Sequence, residues 1–220
     1  MPTRPLVLGL TLLCLLPTGA AAQSLGVAAR GGTLGLGAEA AFGLGDRIVI
    51  RGGTGLLPLE VDGRFDDIDL TVEFPRTWYN VGVDLYLTGA MRIGGGVLVK
   101  PDDVGLSGTP ATSWNIGGRD FTREELGTLG GRIDSGRRAP YVLLGFGRHT
   151  ASGIGLSLDI GAAFLQDPSV SLNSDGGTFA DDAELRSRLD AEARAFEEDA
   201  PGYMDIWPIL NLGLRIGLGG

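Results

Sequence analysis

Six charged side chains stand in segments that are otherwise apolar or rich in glycine. They are three acids and three bases: Glu39, Arg51, Asp84, Arg92, Asp159 and Arg215. Carboxylates and guanidinium groups can neutralise each other as ion pairs, whereas a charge buried without a partner carries a large desolvation cost. We therefore predict that these six side chains share one interior, where they form a charge network.

The residue types in this sequence give little support for a catalytic function. A nucleophile needs a neighbouring base, and a zinc site needs several His, Cys or carboxylate ligands. The chain has one histidine, His149, and one cysteine, Cys14. Ser152 lies near His149, but no third member of a triad accompanies them. We expect no catalytic residue, no metal site and no cofactor.

An acidic cluster precedes Leu70, and its members are Glu60, Asp62, Asp66, Asp67 and Asp69. Such carboxylates could hold Ca²⁺, or cations that bridge the phosphates of lipopolysaccharide. Their spacing follows no ordered pattern of calcium ligands. A solvated acidic loop is the simpler interpretation.

The elements that carry the six charges have the two-residue period of β-strands. In residues 154–164, the apolar face holds Ile154, Leu156, Leu158, Ile160, Ala162 and Phe164, and the other face holds Gly155, Ser157, Asp159, Gly161 and Ala163. Residues 206–218 repeat the pattern. A soluble sandwich should carry Lys, Glu and Thr on its polar face. A face rich in glycine, opposite an evenly apolar one, indicates the interior of a narrow barrel in lipid.

Eight such segments are present: 24–30, 33–42, 47–57, 70–87, 91–100, 140–148, 154–164 and 206–218. Residues 24–42 could instead form one bent strand, and we expect a β-bulge near Pro75, where the alternation changes phase. With eight strands, short connections fall on the periplasmic side and long ones (58–69, 101–139 and 173–204) outside. The predicted fold is all-β: a transmembrane antiparallel up-and-down β-barrel with a helix in the last long loop.

The long connections contain two helix signals. Thr122 and Glu125 have the spacing of a capping box, which predicts one short helix. Residues 181–198 predict a longer helix with one apolar side, formed by Leu185, Leu189, Ala193 and Phe196. This stripe could cover the barrel mouth or contact a partner, but we expect it to pack on the barrel rim.

Aromatic residues lie near the predicted strand ends, where a belt at the membrane interface is expected. They are Trp78, Tyr79, Tyr86, Tyr141, Tyr203 and Trp207. For those on the interior side, such as Trp207, ordinary packing inside the barrel is the better interpretation.

Residues 1–22 have the features of a secretory signal: a basic Arg4, an apolar run, and small residues up to a cleavage site after Ala22. Residues 23–220 would then form a single barrel domain without cysteine. The formal net charge of −9 disfavours nucleic acid as a partner.

Three segments resemble a known family: residues 139–147 (APYVLLGFG), 158–161 (LDIG) with 166–172 (QDPSVSL), and 207–214 (WPILNLGL). They are similar to a family of small proteobacterial outer-membrane proteins, related in form to the OmpW and OmpA-type eight-stranded barrels. The resemblance implies a barrel in the outer membrane of a Gram-negative bacterium. Its motifs are signatures of strands and turns, and they imply no chemistry.

These observations favour a non-enzymatic outer-membrane barrel with a structural or accessory role and a salt-bridged lumen. A narrow channel or small-ligand transporter is one alternative, and a soluble periplasmic β-protein that binds lipid is another. The expected partners are outer-membrane lipid, lipopolysaccharide and, during biogenesis, the barrel assembly machinery. We expect a monomer.

Overall fold

The computed structural model describes residues 24–65, 68–199 and 205–218. Its elements, in chain order, are β1 (Leu25–Gly32), β2 (Leu36–Leu44), β3 (Ile48–Leu56), β4 (Glu60–Phe65), β5 (Ile68–Glu73), β6 (Thr77–Thr88), β7 (Met91–Val99), β8 (Val104–Pro110), β9 (Ser113–Ile116), β10 (Arg119–Thr122), α1 (Arg123–Leu126), β11 (Gly127–Asp134), β12 (Arg138–Phe146), β13 (Gly153–Phe164), β14 (Ser169–Gly176), α2 (Ala183–Asp199) and β15 (Ile206–Gly217). The predicted signal segment with its cleavage site at Ala22 lies outside the described residues, as do Asp66, Asp67 and Tyr203.

Eight antiparallel strands close into a barrel in the order β1-β15-β13-β12-β7-β6-β3-β2. The predicted barrel is therefore confirmed. Residues 24–42 form two strands that pair with each other, with Val27 opposite Ala40. The chain reverses between them at Gly35, whose φ of 83° lies in the left-handed region that glycine adopts without strain.

The barrel strands place large apolar side chains outward and small or polar ones inward. Along β6, Tyr79, Val81 and Val83 are exposed, whereas Trp78 and Asp84 are buried. β13 and β15 expose Ile160, Leu210 and similar residues in the same alternation. An outward surface of this kind is the lipid-facing belt of a membrane barrel.

A second sheet of five strands stands at the end of the barrel that bears the long connections, and we call it the outer sheet. Its order is β14-β11-β8-β5-β4, so it combines strands from all three long connections. In register, Val61, Val72, Leu106 and Leu172 lie along one face, and Asp62, Thr71, Ser107 and Asn173 along the other. The long connections were predicted as loops with helices, and that prediction missed this amphipathic sheet.

The predicted strand 70–87 is two strands in different sheets. β5 ends at Glu73 in the outer sheet, and β6 begins at Thr77 in the barrel. The change of phase near Pro75 therefore marks a passage between sheets, and the predicted bulge there is wrong. Proline lacks the N–H that would continue the ladder, which explains why the strand stops. The irregular register in the barrel lies between Tyr86 and Thr88.

Both predicted helices are present. The Thr122 hydroxyl accepts from the backbone of Glu125, and the Glu125 carboxylate accepts from the backbone of Thr122, so the capping box is complete. Helix α2 buries Leu185, Leu189 and Ala193. It contacts β14 and β9, so it packs on the outer sheet and the β9–β10 hairpin instead of on the barrel rim. Among the described residues, no helix is both long and apolar enough to cross a membrane.

Candidate functional site

The barrel interior contains a layer of charged side chains, with Arg51 of β3 at its centre. The Arg51 Nη1 donates to Glu39 Oε2 at 2.9 Å and to Asp159 Oδ2 at 3.1 Å. Its Nε donates to Asp84 Oδ1 at 3.1 Å. These carboxylates come from β2, β13 and β6, so one guanidinium joins strands from different sides of the barrel.

Arg92 of β7 forms the second connection in this layer. Its Nε donates to Asp84 Oδ2 at 2.7 Å, and its Nη2 donates to Asp159. Its Nη1 donates to the carbonyl oxygen of Gly147 at 3.0 Å. The Arg92 side chain has no exposed surface. Charge-assisted hydrogen bonds to two carboxylates and one to a carbonyl oxygen use the N–H donors of this buried guanidinium.

Five of the six predicted network residues meet in this layer, and the sixth is replaced. Arg215 lies on the interior side but donates to the backbone carbonyl oxygens of Ala151 and Gly153 instead of to a carboxylate. Arg30 takes its place, since its Nη1 lies 3.2 Å from Glu39 Oε2. The layer therefore pairs three arginines with three carboxylates. The alternation of β1 puts Arg30 inside, but its position at the end of the predicted strand hid this role.

His149 is the second interior residue that the sequence did not indicate. It lies in the short connection between β12 and β13, as the predicted strands imply, but its side chain is 2% exposed and lies inside the barrel. Its Nδ1 is 3.5 Å from Glu39 Oε1, and its Nε2 is 3.2 Å from Asp84 Oδ2. Its backbone N–H donates to the Tyr86 hydroxyl at 2.8 Å.

Residues 148–152 form a turn between β12 and β13 that folds into the barrel, and we call it the plug turn. Strand glycines leave the room for it. An ideal β-carbon at Gly217 of β15 would lie 1.8 Å from the carbonyl oxygen of Ala151. Arg215 holds the same carbonyl from inside the barrel. The plug turn therefore closes the end of the barrel that bears the short connections.

Apolar and aromatic side chains fill the interior toward the outer sheet. The ring centroids of Trp78 and Trp207 are 4.8 Å apart. Buried residues around them are Leu34, Leu98, Ala139, Tyr141, Leu143, Ala163 and Ile209. Trp78, Tyr86, Tyr141 and Trp207 lie on the interior side and pack inside the barrel, as expected for aromatic residues on that side, and Tyr79 faces outward.

The void between the charged layer and the aromatic layer measures about 10 Å³, and it is lined by Arg30, Tyr141 and Asn211 among others. A single water needs about this much space, so this void has room for about one water molecule. Along the barrel axis, the described interior therefore contains three successive zones: the plug turn, the charged layer and the aromatic layer.

The acidic residues of the first long connection are distributed along a hairpin. Asp62 accepts from the Thr71 hydroxyl at 2.8 Å, and Asp69 pairs with Arg64 at 2.7 Å. Across residues 24–65, 68–199 and 205–218, no three His, Cys, Asp or Glu side chains are grouped so as to hold a metal ion.

Two solved structures share this architecture. The crystal structure of CarO2 from Acinetobacter baumannii matches with a TM-score of 0.57 and 17% identity, over 88% of this chain and 98% of its own. That of Acinetobacter baumannii CarO matches with a TM-score of 0.53 and 18% identity, over 87% and 96%. No family model matches the chain, and no curated protein sequence does. The shared fold is a closed eight-stranded antiparallel barrel, and the outward apolar belt of this chain fits the hydrocarbon of a bilayer.

Proposed function

We propose that the protein is a non-enzymatic outer-membrane barrel that holds the outer sheet and α2 at the cell surface and conducts no solute. Its role is then structural or accessory. The observation that carries this proposal is the ion-pair layer in the barrel interior, in which Arg30, Arg51 and Arg92 are all bound to carboxylates. Paired charges that cross-link strands fit a plug better than a path, because a permeating ion would have to displace them.

Planar bilayers test the proposal. Purified protein is first shown to be folded by its faster migration in SDS without heating. We expect this folded protein to leave the bilayer current at its baseline. Reproducible steps of conductance from the folded fraction, lost when the sample is boiled first, would contradict a closed barrel.

A narrow channel is the second candidate, because within the part of the chain that the structure describes a short turn, the plug turn, fills the short-connection end of the barrel. Movement of residues 148–152 would expose Asp84 and Arg92 to one side of the membrane. In that case, conductance would appear in the wild type and would fall when Arg92 or Asp159 is neutralised.

The third candidate, a soluble lipid-binding protein of the periplasm, conflicts with the outward apolar belt of β6, β13 and β15. Fractionation separates this candidate from the others. Extraction with the outer membrane supports the barrel, and release with the periplasmic contents supports the soluble protein.

The partners that fit this proposal are bilayer lipid and lipopolysaccharide around the belt, and the barrel assembly machinery during insertion. The acidic net charge of −9 opposes nucleic-acid binding. A barrel closed on itself leaves no unpaired strand edge in the membrane, so it needs no second copy for closure.

A further inference from the structure

An apolar groove of about 520 Å³ lies between α2 and the outer sheet. Leu106, Ile133 and Leu172 of the sheet form its floor, and Trp114 of β9 and Phe196 of α2 form parts of its walls. Phe196 is 44% exposed, although it belongs to the apolar stripe of the helix. Apolar pockets of a few hundred Å³ with few polar groups are typical of small-molecule sites.

The polar groups at this groove are acidic. Glu192 and Asp199 of α2 line it, and Asn115 is the remaining polar side chain. Asp199 belongs to a last helical turn that also contains Glu197 and Glu198 and has no basic residue. The C-terminus of a helix already bears partial negative charge, so these carboxylates add to it. The groove therefore combines apolar walls with carboxylates at its rim, and the neighbouring guanidinium of Arg188 donates to the Ile116 and Gly117 carbonyl oxygens and does not line the groove.

We propose that this groove binds a small amphipathic organic cation, with an aromatic or alkyl body and one ammonium group. The body would displace water from the floor of the groove. The ammonium would lie near Glu192 and Asp199, and the aromatic rings of Trp114 and Phe196 line the same groove. A second copy of this acidic chain is disfavoured by like charge, and so is an anionic lipid. The site is separate from the barrel interior, and the proposal goes beyond a closed barrel.

Three matched probes test the charge preference: phenylbutylamine, phenylbutanol and phenylbutyrate. Each probe is titrated into the full protein in phosphatidylcholine nanodiscs, and the heat is measured by calorimetry. The heat of titration into empty nanodiscs is subtracted, because the probes partition into lipid. We expect the amine to bind roughly tenfold more tightly than the alcohol, and the carboxylate to bind most weakly. Equal affinity for all three probes, or no binding of the amine, would overturn the proposal.

Variants on α2 locate the site. Glu192→Gln and Asp199→Asn should each weaken amine binding roughly three- to tenfold and leave alcohol binding unchanged. Glutamine keeps an oxygen that can accept from the Gly117 N–H, as Glu192 does at 2.9 Å. Asp190→Asn is the control, because Asp190 is exposed on the same helix and does not line the groove. Phe196→Ala should weaken the binding of all three probes. If amine binding is unchanged in Glu192→Gln, Asp199→Asn and Phe196→Ala, the amine binds elsewhere.

Discussion

The carbonyl oxygen of His149 occupies the space that a side chain on Gly26 would need, since an ideal β-carbon there would lie 1.9 Å from it. Gly26 belongs to β1, and His149 follows β12, which does not pair with β1. A strand far from the plug turn in sequence therefore determines whether the turn can enter the barrel. Because both groups in this contact are backbone, the clash cannot be relieved by a change of rotamer.

Gly26→Ala should consequently push the plug turn out of the barrel. We expect faster amide hydrogen exchange in residues 148–152 and a lower temperature for the shift in SDS gel mobility, while the charged and aromatic layers stay in place and the bilayer current stays at its baseline. Gly52→Ala is the matched control, because Gly52 faces outward and its nearest contact, the Asn80 carbonyl oxygen, would be 3.5 Å from the new β-carbon. A Gly26→Ala protein with the same hydrogen exchange in residues 148–152 and the same stability as Gly52→Ala would show that the turn is held in another way.

Removal of Arg92 should strongly destabilise the barrel. Arg92→Ala leaves Asp84 and Asp159 with fewer partners in a site without exposed surface around the guanidinium. A loss of one partner from a buried ion pair costs about 3–5 kcal/mol in free energy of unfolding. Urea titration of the protein in lipid vesicles, followed by tryptophan fluorescence, measures the change.

Arg64→Ala provides the comparison for that experiment. Arg64 pairs with Asp69 on the outer sheet, and both side chains are 69% exposed. An exposed pair contributes about 0–1 kcal/mol, so this variant should unfold close to the wild type. Similar losses in Arg92→Ala and Arg64→Ala would mean that the interior layer contributes no more than a surface pair.

The alternation of residues was sufficient to predict the barrel, since each side of a lipid-embedded strand has a distinct composition. Ile160 and Asp159, for example, point to opposite faces as predicted. The outer sheet could not be predicted in the same way. Its β5 pairs with β8, more than thirty residues away, and nothing in either short segment specifies the other as its partner.

The charged layer was only partly predictable for a related reason. Glu39, Arg51 and Asp84 follow from strand phase alone. The entry of His149 depends on small residues in other strands, such as Gly26 and Gly217, and these lie near it only in the closed barrel. Glycines of this kind are expected along any strand that faces a narrow barrel interior, and nothing in the sequence marks the turn that they admit.

Leu185 of α2 forms a buried apolar cluster with Phe121 and Leu126, and this cluster should stabilise the outer sheet without affecting the barrel. Leu185 is fully buried against Phe121 and Leu126. Leu185→Ala should therefore cost about 2–5 kcal/mol locally, and hydrogen exchange should quicken in β14 and α1 but not in β13. Phe196→Ala, on the same helix but 44% exposed, should have a much smaller effect. Faster exchange throughout the barrel would indicate that the two sheets unfold together.

The capping box of α1 should respond to acid. The backbone N–H of Thr122 and then its hydroxyl donate to Glu125, and these bonds hold the pKa of the Glu125 carboxyl below its ordinary value of 4.5. A carboxyl with a lowered pKa stabilises the folded state above the ordinary value, and the stabilisation is lost as pH falls through the folded pKa. Carbon NMR titration of the Glu125 carboxyl should show a midpoint below pH 4.5.

Thr122→Val, which removes the hydroxyl bond but keeps the backbone bond, should raise that midpoint part of the way. Thr128→Val on the neighbouring β11 should leave it unchanged. An equal midpoint in the Thr122→Val protein would mean that the hydroxyl makes no contribution to the cap.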